Sequence, residues 1–228
     1  KCQRQTLQNY YDELKKLVLS LDHEDKEQLM NELTTNNKNN STTTLHHLFQ
    51  QFGYYYLKWD LECTDNKTII RELRDFIKTI DNNNYTGYDG NHLSSGERMG
   101  ITSVVKVLVY HCLGRLALDS LTYDQSLTDF NECLRYDCSF VSAMNNMGIA
   151  LRALEKSDLA LEMYTKAVRY CPTFDSAFNN RAIIYYDRMS YDLAIIDCNC
   201  AIALNPEYAA PLFNRGLCFE ELGQGVLA

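Results

Sequence analysis

The chain has 228 residues, of which 46% are hydrophobic and 23% charged, with 30 acidic residues against 22 lysines and arginines. No run of about 18 apolar residues is long enough to span a bilayer, which excludes membrane insertion by this sequence. The net charge of −8 and the absence of a basic stripe exclude a surface made for nucleic-acid phosphates.

Residues 1–33 predict two amphipathic helices. Apolar residues recur at steps of three and four between Leu7 and Leu21, which places them on one side of the first helix. Asp22 is suited to cap the second helix. An apolar stripe of this kind is typical of a helix that packs into a core, and partner binding is the alternative.

The next part of the chain alternates polar tracts with helices. Residues 34–44 form an Asn- and Thr-rich linker, too polar to bury a core. Residues 45–80 predict a helical hairpin. Residues 81–106 predict a polar loop, rich in Asn and Gly up to Gly100, and the lead-in to the following segment.

Residues 141–174 and 175–208 then carry one 34-residue pattern twice, without a gap. Small residues occupy the eighth, twentieth and twenty-seventh positions, and proline the thirty-second. These residues are Gly148, Ala160, Ala167 and Pro172, followed by Ala182, Ala194, Ala201 and Pro206. Because proline cannot continue a helix, each unit predicts two helices, over about the second to fourteenth and the eighteenth to thirty-first positions.

The small residues need a physical reason, since glycine inside a helix costs roughly 1 kcal/mol relative to alanine. At the eighth and twentieth positions, a missing side chain lets the paired helices approach closely. The twenty-fourth position holds a large residue, Tyr164, in the first copy and the smaller Cys198 in the second. One unit cannot bury its apolar face alone, so neighbouring units are expected to stack.

This pattern resembles the tetratricopeptide repeat. Residues 107–140 follow the same spacing, with Ser126 for the small residue and Cys138 for the proline, and residues 209–228 supply a partial repeat with the first helix. The resemblance implies an all-α fold, a right-handed superhelical solenoid of helix-turn-helix repeats with a concave groove. An irregular helical region would precede it.

The hairpin over residues 45–80 has two interpretations. It is a degenerate repeat, or it is an irregular helical cap on the end of the solenoid. Ile69 and Phe76 stand where the repeat has small residues, which would hold the helices of a degenerate repeat further apart.

Nine cysteines, an odd number without a CxxC pair, are typical of an intracellular protein with reduced thiols. Cys133, Cys138 and Cys198 occupy repeat positions that take small or apolar side chains, so we expect them to be packing residues. A metal site at Cys198, Cys200 and Cys218 is the weaker alternative, because the first two would point about 200° apart on one helix. We therefore predict no metal and no cofactor.

No catalytic motif is present, since the five histidines form no HExxH and no GxSxG occurs. We expect a non-catalytic protein. Because the sequence starts with Lys1 and its last repeat is partial, we interpret it as a piece of a longer protein. It shows no signal peptide. The expected location is the cytoplasm, with a cilium or an organelle as alternatives.

The resemblance also implies where a partner would bind. Repeats of this family present the fifth, sixth and ninth positions of their first helices to the groove. The predicted partner-binding residues are Asn145, Asn146, Ile149, Asn179, Asn180, Ile183, Asn214 and Leu217. Asparagine at every sixth position forms a predicted ladder, whose amides are suited to pair with the backbone of an extended peptide. Hydrogen bonding along the helix surface, and packing between repeats at the ninth position, are the alternatives.

Family members that grip a C-terminal carboxylate use lysine at the fifth position. This sequence has His111, Asn145, Asn179 and Phe213 there, so we do not expect carboxylate capture. The leading hypothesis is a scaffold that receives an extended segment of a partner protein. The alternatives are a fixed subunit of a large ciliary or organellar assembly, and the repeat region of a longer enzyme such as a glycosyltransferase.

Overall fold

A computed structural model describes residues 65–82 and 95–223, and every regular element in these ranges is an α-helix. The helices are α1 (Asn66–Asn82), α2 (Ser95–Asp119), α3 (Tyr123–Tyr136), α4 (Val141–Ala153), α5 (Ser157–Tyr170), α6 (Asp175–Asp187), α7 (Tyr191–Leu204) and α8 (Ala209–Glu221). The all-α prediction is confirmed for this part of the chain. The predictions for residues 1–33, for the linker at 34–44 and for the start of the hairpin lie outside the described residues.

The chain divides into two compact units, Lys1–Thr122 with Asn131–Cys138, and Tyr123–Phe130 with Ser139–Ala228. In the first unit α1 packs against α2. The N-terminus of α1 is capped by the carboxylate of Asp65, which accepts a 2.8 Å hydrogen bond from the Thr68 amide. That bond lowers the pKa of Asp65. The buried stripe of α1 consists of Ile69, Leu73, Phe76, Ile77 and Ile80.

The prediction of a polar loop and lead-in over residues 81–106 is wrong at residues 81–82, which end α1, and from Ser95 onward, and residues 83–94 lie outside the described residues. Helix α2 starts at Ser95 and continues for 25 residues to Asp119. The loop was predicted partly because of Gly96 and Gly100, but each glycine disfavours a helix by only about 1 kcal/mol relative to alanine. The strongly buried run that begins at Val105 fixes the helix, which then extends back toward the glycines.

The second unit repeats one helical pair. Helices α4, α6 and α8 have 13 residues each and begin at the first position of the repeat, whereas α5 and α7 have 14 residues each and begin at the seventeenth. Each helix starts one position earlier than predicted. Helix α6 packs against its partner α7 and also against α4, α5 and α8. The 34-residue period of the sequence is therefore also the period of the helices.

The paired helices approach closely at the eighth position. A Cβ atom on Gly148 would lie 2.5 Å from Cε1 of the buried Tyr164, so the ring occupies the space that the glycine leaves. In the next pair, Ala182 clusters with the smaller Cys198. Glycine thus faces a large ring in one pair, as the sequence pattern predicted for Gly148, and alanine lies with a smaller thiol in the next.

The turn between paired helices uses a left-handed residue at the fifteenth position. Glu155 has φ of 59° and Met189 of 57°, and Gly223 takes the same place with φ of 69°. The amide of Lys156 donates to the Leu151 carbonyl at 2.9 Å, which closes the turn. Residues with a Cβ pay roughly 1–2 kcal/mol for this conformation, which glycine adopts freely.

Cysteine burial follows the repeat with one exception. Cys133 and Cys198 are fully buried, which confirms their prediction as packing residues. Cys138 is exposed, so that prediction was wrong. The thirty-second position lies in the turn after the second helix, where Pro172 and Pro206 are exposed as well.

Gly148→Ala should destabilise the protein by about 1–3 kcal/mol, because the added methyl group meets the buried Tyr164 ring. Gly216→Ala is the matched control, since nothing lies within 4 Å of a Cβ there. It should stabilise α8 by up to about 1 kcal/mol. Urea unfolding of both variants measures the difference, and equal effects would contradict the close approach.

The buried thiols should resist alkylation at pH 8. Burial raises the pKa of Cys112 and of Cys198 to about 12, so both stay protonated and unreactive. Iodoacetamide should modify the exposed Cys138 in the native protein, while Cys112, Cys133 and Cys198 react only after unfolding in urea. Mass spectrometry of tryptic peptides measures the extent of alkylation at each cysteine. Alkylation of Cys198 in the native protein as fast as that of Cys138 would contradict the burial of Cys198.

Candidate functional site

The first helices of the second unit are linked by a repeated contact between asparagines. Nδ2 of Asn180 donates to Oδ1 of Asn145 at 2.9 Å, and Nδ2 of Asn214 donates to Oδ1 of Asn179 at 2.9 Å. Each bond joins the sixth position of one repeat to the fifth position of the repeat before it. The predicted ladder of asparagines is therefore also a link between stacked repeats.

The fifth and sixth positions differ in burial. Asn145 and Asn179 are buried, and the amide of Asn179 also donates to the Tyr208 hydroxyl at 3.2 Å. Asn146, Asn180 and Asn214 remain partly exposed. The structure thus places the fifth-position residues between repeats rather than on an open surface. Their side-chain oxygens hold the amides of Asn180 and Asn214 in place.

An apolar row lies beside the ladder at the ninth position. Ile149 is 39% exposed, and Ile183 and Leu217 are partly exposed. All three follow each other at the 34-residue period. We define the first-helix surface as the sixth- and ninth-position residues of α4, α6 and α8, which are Asn146, Ile149, Asn180, Ile183, Asn214 and Leu217.

A buried ion pair next to the ladder was not predicted from the sequence. Arg181 binds the carboxylate of Asp197 through two hydrogen bonds, of 2.7 and 2.8 Å, and joins α6 to α7. The guanidinium also lies 5.6 Å from the Phe178 ring. The hydrogen bond to Asp197 raises the pKa of Arg181. Because Arg181 directly follows Asn180, this pair helps to fix the helix that presents the amide.

A related contact ties α7 to the following helix. Arg215 donates to Oδ1 of Asn199 at 2.8 Å. Both arginines occupy the seventh position, and both reach a residue sixteen places away in α7. A polar residue repeated at the seventh position is the sequence signal for these contacts.

The far end of the first-helix surface is acidic. Asp187 and Glu221 occupy the thirteenth position of α6 and α8, and both are exposed. The Tyr186 hydroxyl lies 3.5 Å from a carboxylate oxygen of Glu221. This end of the surface therefore carries negative charge.

Within residues 65–82 and 95–223, no three His, Cys, Asp or Glu side chains come together in a group able to hold a metal ion. None of the described helices is long and apolar enough to cross a membrane.

Comparisons with known proteins identify the fold. No family model and no curated protein matches the sequence. The structure is similar to BtubC (BKLC) from P. vanneervenii, with 14% identity and a TM-score of 0.64 over 93% of this chain and 85% of that one. It is also similar to the Arabidopsis OM64 TPR domain, with 16% identity and a TM-score of 0.50 over 51% and 96% of the two chains.

A third similar structure was determined with a peptide. It is the first TPR of Spaghetti (RPAP3) bound to the HSP90 peptide SRMEEVD, with 18% identity and a TM-score of 0.50 over 52% of this chain and 94% of that one. Stacked helical pairs, the 34-residue period and these similarities together define the class. The chain therefore has the tetratricopeptide-repeat fold, which confirms the predicted fold.

Asn180→Ala should destabilise the protein by about 1–3 kcal/mol, because it leaves the buried Oδ1 of Asn145 without its donor. The double variant with Asn145→Ala should recover about 0.5–1.5 kcal/mol of that loss. Urea denaturation of the two single variants and the double variant measures the coupling. Asn199→Ala, which removes an exposed hydrogen bond, is the control and should cost less. Additive losses for Asn145 and Asn180 would contradict the link between repeats.

Proposed function

We propose that this protein is a non-catalytic scaffold whose first-helix surface binds an extended segment of a partner protein. The observation that carries the proposal is the repeated bond from the sixth-position asparagine to the buried fifth-position asparagine. It holds the Asn180 and Asn214 amides in the same orientation on successive repeats. A preorganised side chain loses less conformational entropy on binding than a free one.

The chemistry of this surface fits a peptide backbone. After the bond to the preceding repeat, the amides of Asn180 and Asn214 each retain an oxygen acceptor and one N–H donor that pair with no other described residue. Stacked helices lie roughly 10 Å apart. An extended chain rises about 3.3 Å per residue, so one amide would serve every third peptide residue.

The apolar row supports side-chain recognition alongside the backbone. Ile149, Ile183 and Leu217 offer partly exposed apolar surface at the same interval as the asparagines. A partner segment with an apolar residue at about every third position would contact both rows. The acidic end at Asp187 and Glu221 supports a neutral or mildly basic segment.

The fifth positions distinguish this surface from a carboxylate clamp. The peptide in the RPAP3 complex ends in acidic residues. Here Asn145 and Asn179 are buried and engaged between repeats, and Phe213 is exposed and uncharged. No cation stands at these three positions, which favours an internal extended segment over an acidic C-terminal tail.

Ile149→Glu tests the proposal without disturbing the asparagine links. Leu159→Glu is the matched control, since Ile149 is 39% and Leu159 48% exposed, but Leu159 lies on a second helix. Both variants should fold, as checked by circular dichroism. In affinity purification from the cells that make the protein, Ile149→Glu should lower recovery of the bound partner at least about tenfold, a loss of about 1.4 kcal/mol. Leu159→Glu should leave recovery unchanged.

Quantitative mass spectrometry of the recovered proteins decides the outcome. Equal recovery with both variants would refute binding at the first-helix surface. Loss of a whole set of proteins with Leu159→Glu as well would favour the alternative, a fixed subunit contacted on several faces.

A further inference from the structure

Helix α7 has an apolar face that the described residues of the second unit leave largely exposed. Its inner face is buried through Ala194, Cys198 and Ala201. A second row follows at steps of four and three residues, on another side of the helix. This row, which we define as the outer stripe of α7, consists of Met189 in the preceding turn, Leu193, Ile196, Cys200 and Ala203. Met189 is 78%, Leu193 48% and Ile196 57% exposed.

The preceding repeat provides an internal comparison. The same five positions along α5 hold Glu155, Leu159, Glu162, Lys166 and Arg169. Only one of them is apolar, and Glu162 and Lys166 form an ion pair with a 2.7 Å separation. Because α5 forms the same 14-residue helix with charges at these positions, the fold does not require an apolar outer stripe. Packing within the repeats therefore does not explain the outer stripe of α7.

We propose that the outer stripe of α7 docks an amphipathic helix of a partner protein, whose apolar face is flanked by lysine or arginine. The rim of the stripe is acidic, with Asp192 exposed near the start of α7 and Glu207 exposed just after its end. No lysine or arginine occurs between Met189 and Ala210. A basic flank on the docked helix would complement this rim, whereas an acidic flank would be repelled.

The nearby cations do not change the sign of the rim. Arg181 is engaged by Asp197, with its side chain only 16% exposed. Arg215 donates to Asn199, and Arg188 pairs with Asp158. These three arginines are thus held by partners within the second unit, and α7 itself contributes only acidic charges to the rim.

The dimensions of the stripe favour one helix over a second copy of the chain. Met189 to Ala203 spans roughly 21 Å at 1.5 Å per residue, and one helix is about 10 Å wide. The stripe therefore covers on the order of 200 Å², against about 800 Å² per partner in a stable protein interface. Two copies would also bring their acidic rims together. A single helix with basic flanks matches both the size and the charge.

A synthetic peptide provides the test. The probe is a fluorescein-labelled 18-residue helix with leucines on one face and lysines elsewhere, and its counterpart carries glutamates in place of the lysines. Fluorescence anisotropy is measured while the full 228-residue chain is titrated. The lysine peptide should bind with a Kd below about 100 μM, and the glutamate peptide at least about tenfold more weakly.

The double variant Ile196→Glu, Cys200→Lys introduces into α7 the ion pair that Glu162 and Lys166 form in α5. It should fold, because α5 carries Glu162 and Lys166 at the same positions. Its affinity for the lysine peptide should fall at least about tenfold. Ile149→Glu, on the first-helix surface, should leave that affinity unchanged. Failure of this docking site is therefore distinguishable from failure of the proposed groove.

Several results would overturn the docking site. They are equal binding of the two peptides, unchanged binding by the double variant, and no saturable binding up to about 1 mM. Sedimentation of the chain alone tests the remaining occupant. Self-association that the Ile196→Glu, Cys200→Lys variant abolishes would show that a second copy covers the stripe instead.

Discussion

The close approach of paired helices at the eighth repeat position is the constraint on which the second unit depends. Protein interiors are close-packed, so the side chains at the eighth and twenty-fourth positions must fit together without overlap or empty space. Gly148 with Tyr164 meets this condition in one pair, and Ala182 with Cys198 meets it in the next. This close packing recurs along the chain, and the stacked pairs follow each other at a fixed interval of 34 residues.

That fixed interval makes the candidate site regular. The bonds Asn145–Asn180 and Asn179–Asn214 have the same length because both join positions separated by one repeat and one residue. An insertion inside a unit would separate the partners of such a bond. The first helices thus carry the regular surface, whereas the second helices are free to differ, as the charged α5 and the apolar α7 do.

The repeat is the part of this fold that a sequence reveals most directly. Its period placed the helices of the second unit within one residue, since the spacing of small residues and prolines reflects contacts inside each pair. The start of α2 at Ser95 was missed because a weak local preference was outweighed by burial further along the helix. The exposure of Cys138 was not predicted, because its repeat position lies in a turn, where an exposed side chain is tolerated.

The finer features of the site depend on contacts between elements. The next repeat decides whether the asparagine at the fifth or at the sixth position is buried. The pattern of a single repeat does not carry this information. The Arg181–Asp197 pair joins residues on two different helices. The outer stripe of α7 is visible in the sequence. Only the structure shows that a different face of α7 is the one buried against the neighbouring helices.

The left-handed turns show how far this chain lies from its attainable stability. Leu121, Glu155 and Met189 each hold a conformation that costs a residue with a Cβ roughly 1–2 kcal/mol, although glycine at Gly223 makes the same turn. All three are exposed. Even after the greater chain entropy of glycine is counted, stability has been left unused at Leu121 and Glu155, which belong to neither proposed binding surface nor the core. An engineer who needs a sturdier version of this scaffold would begin at these turns.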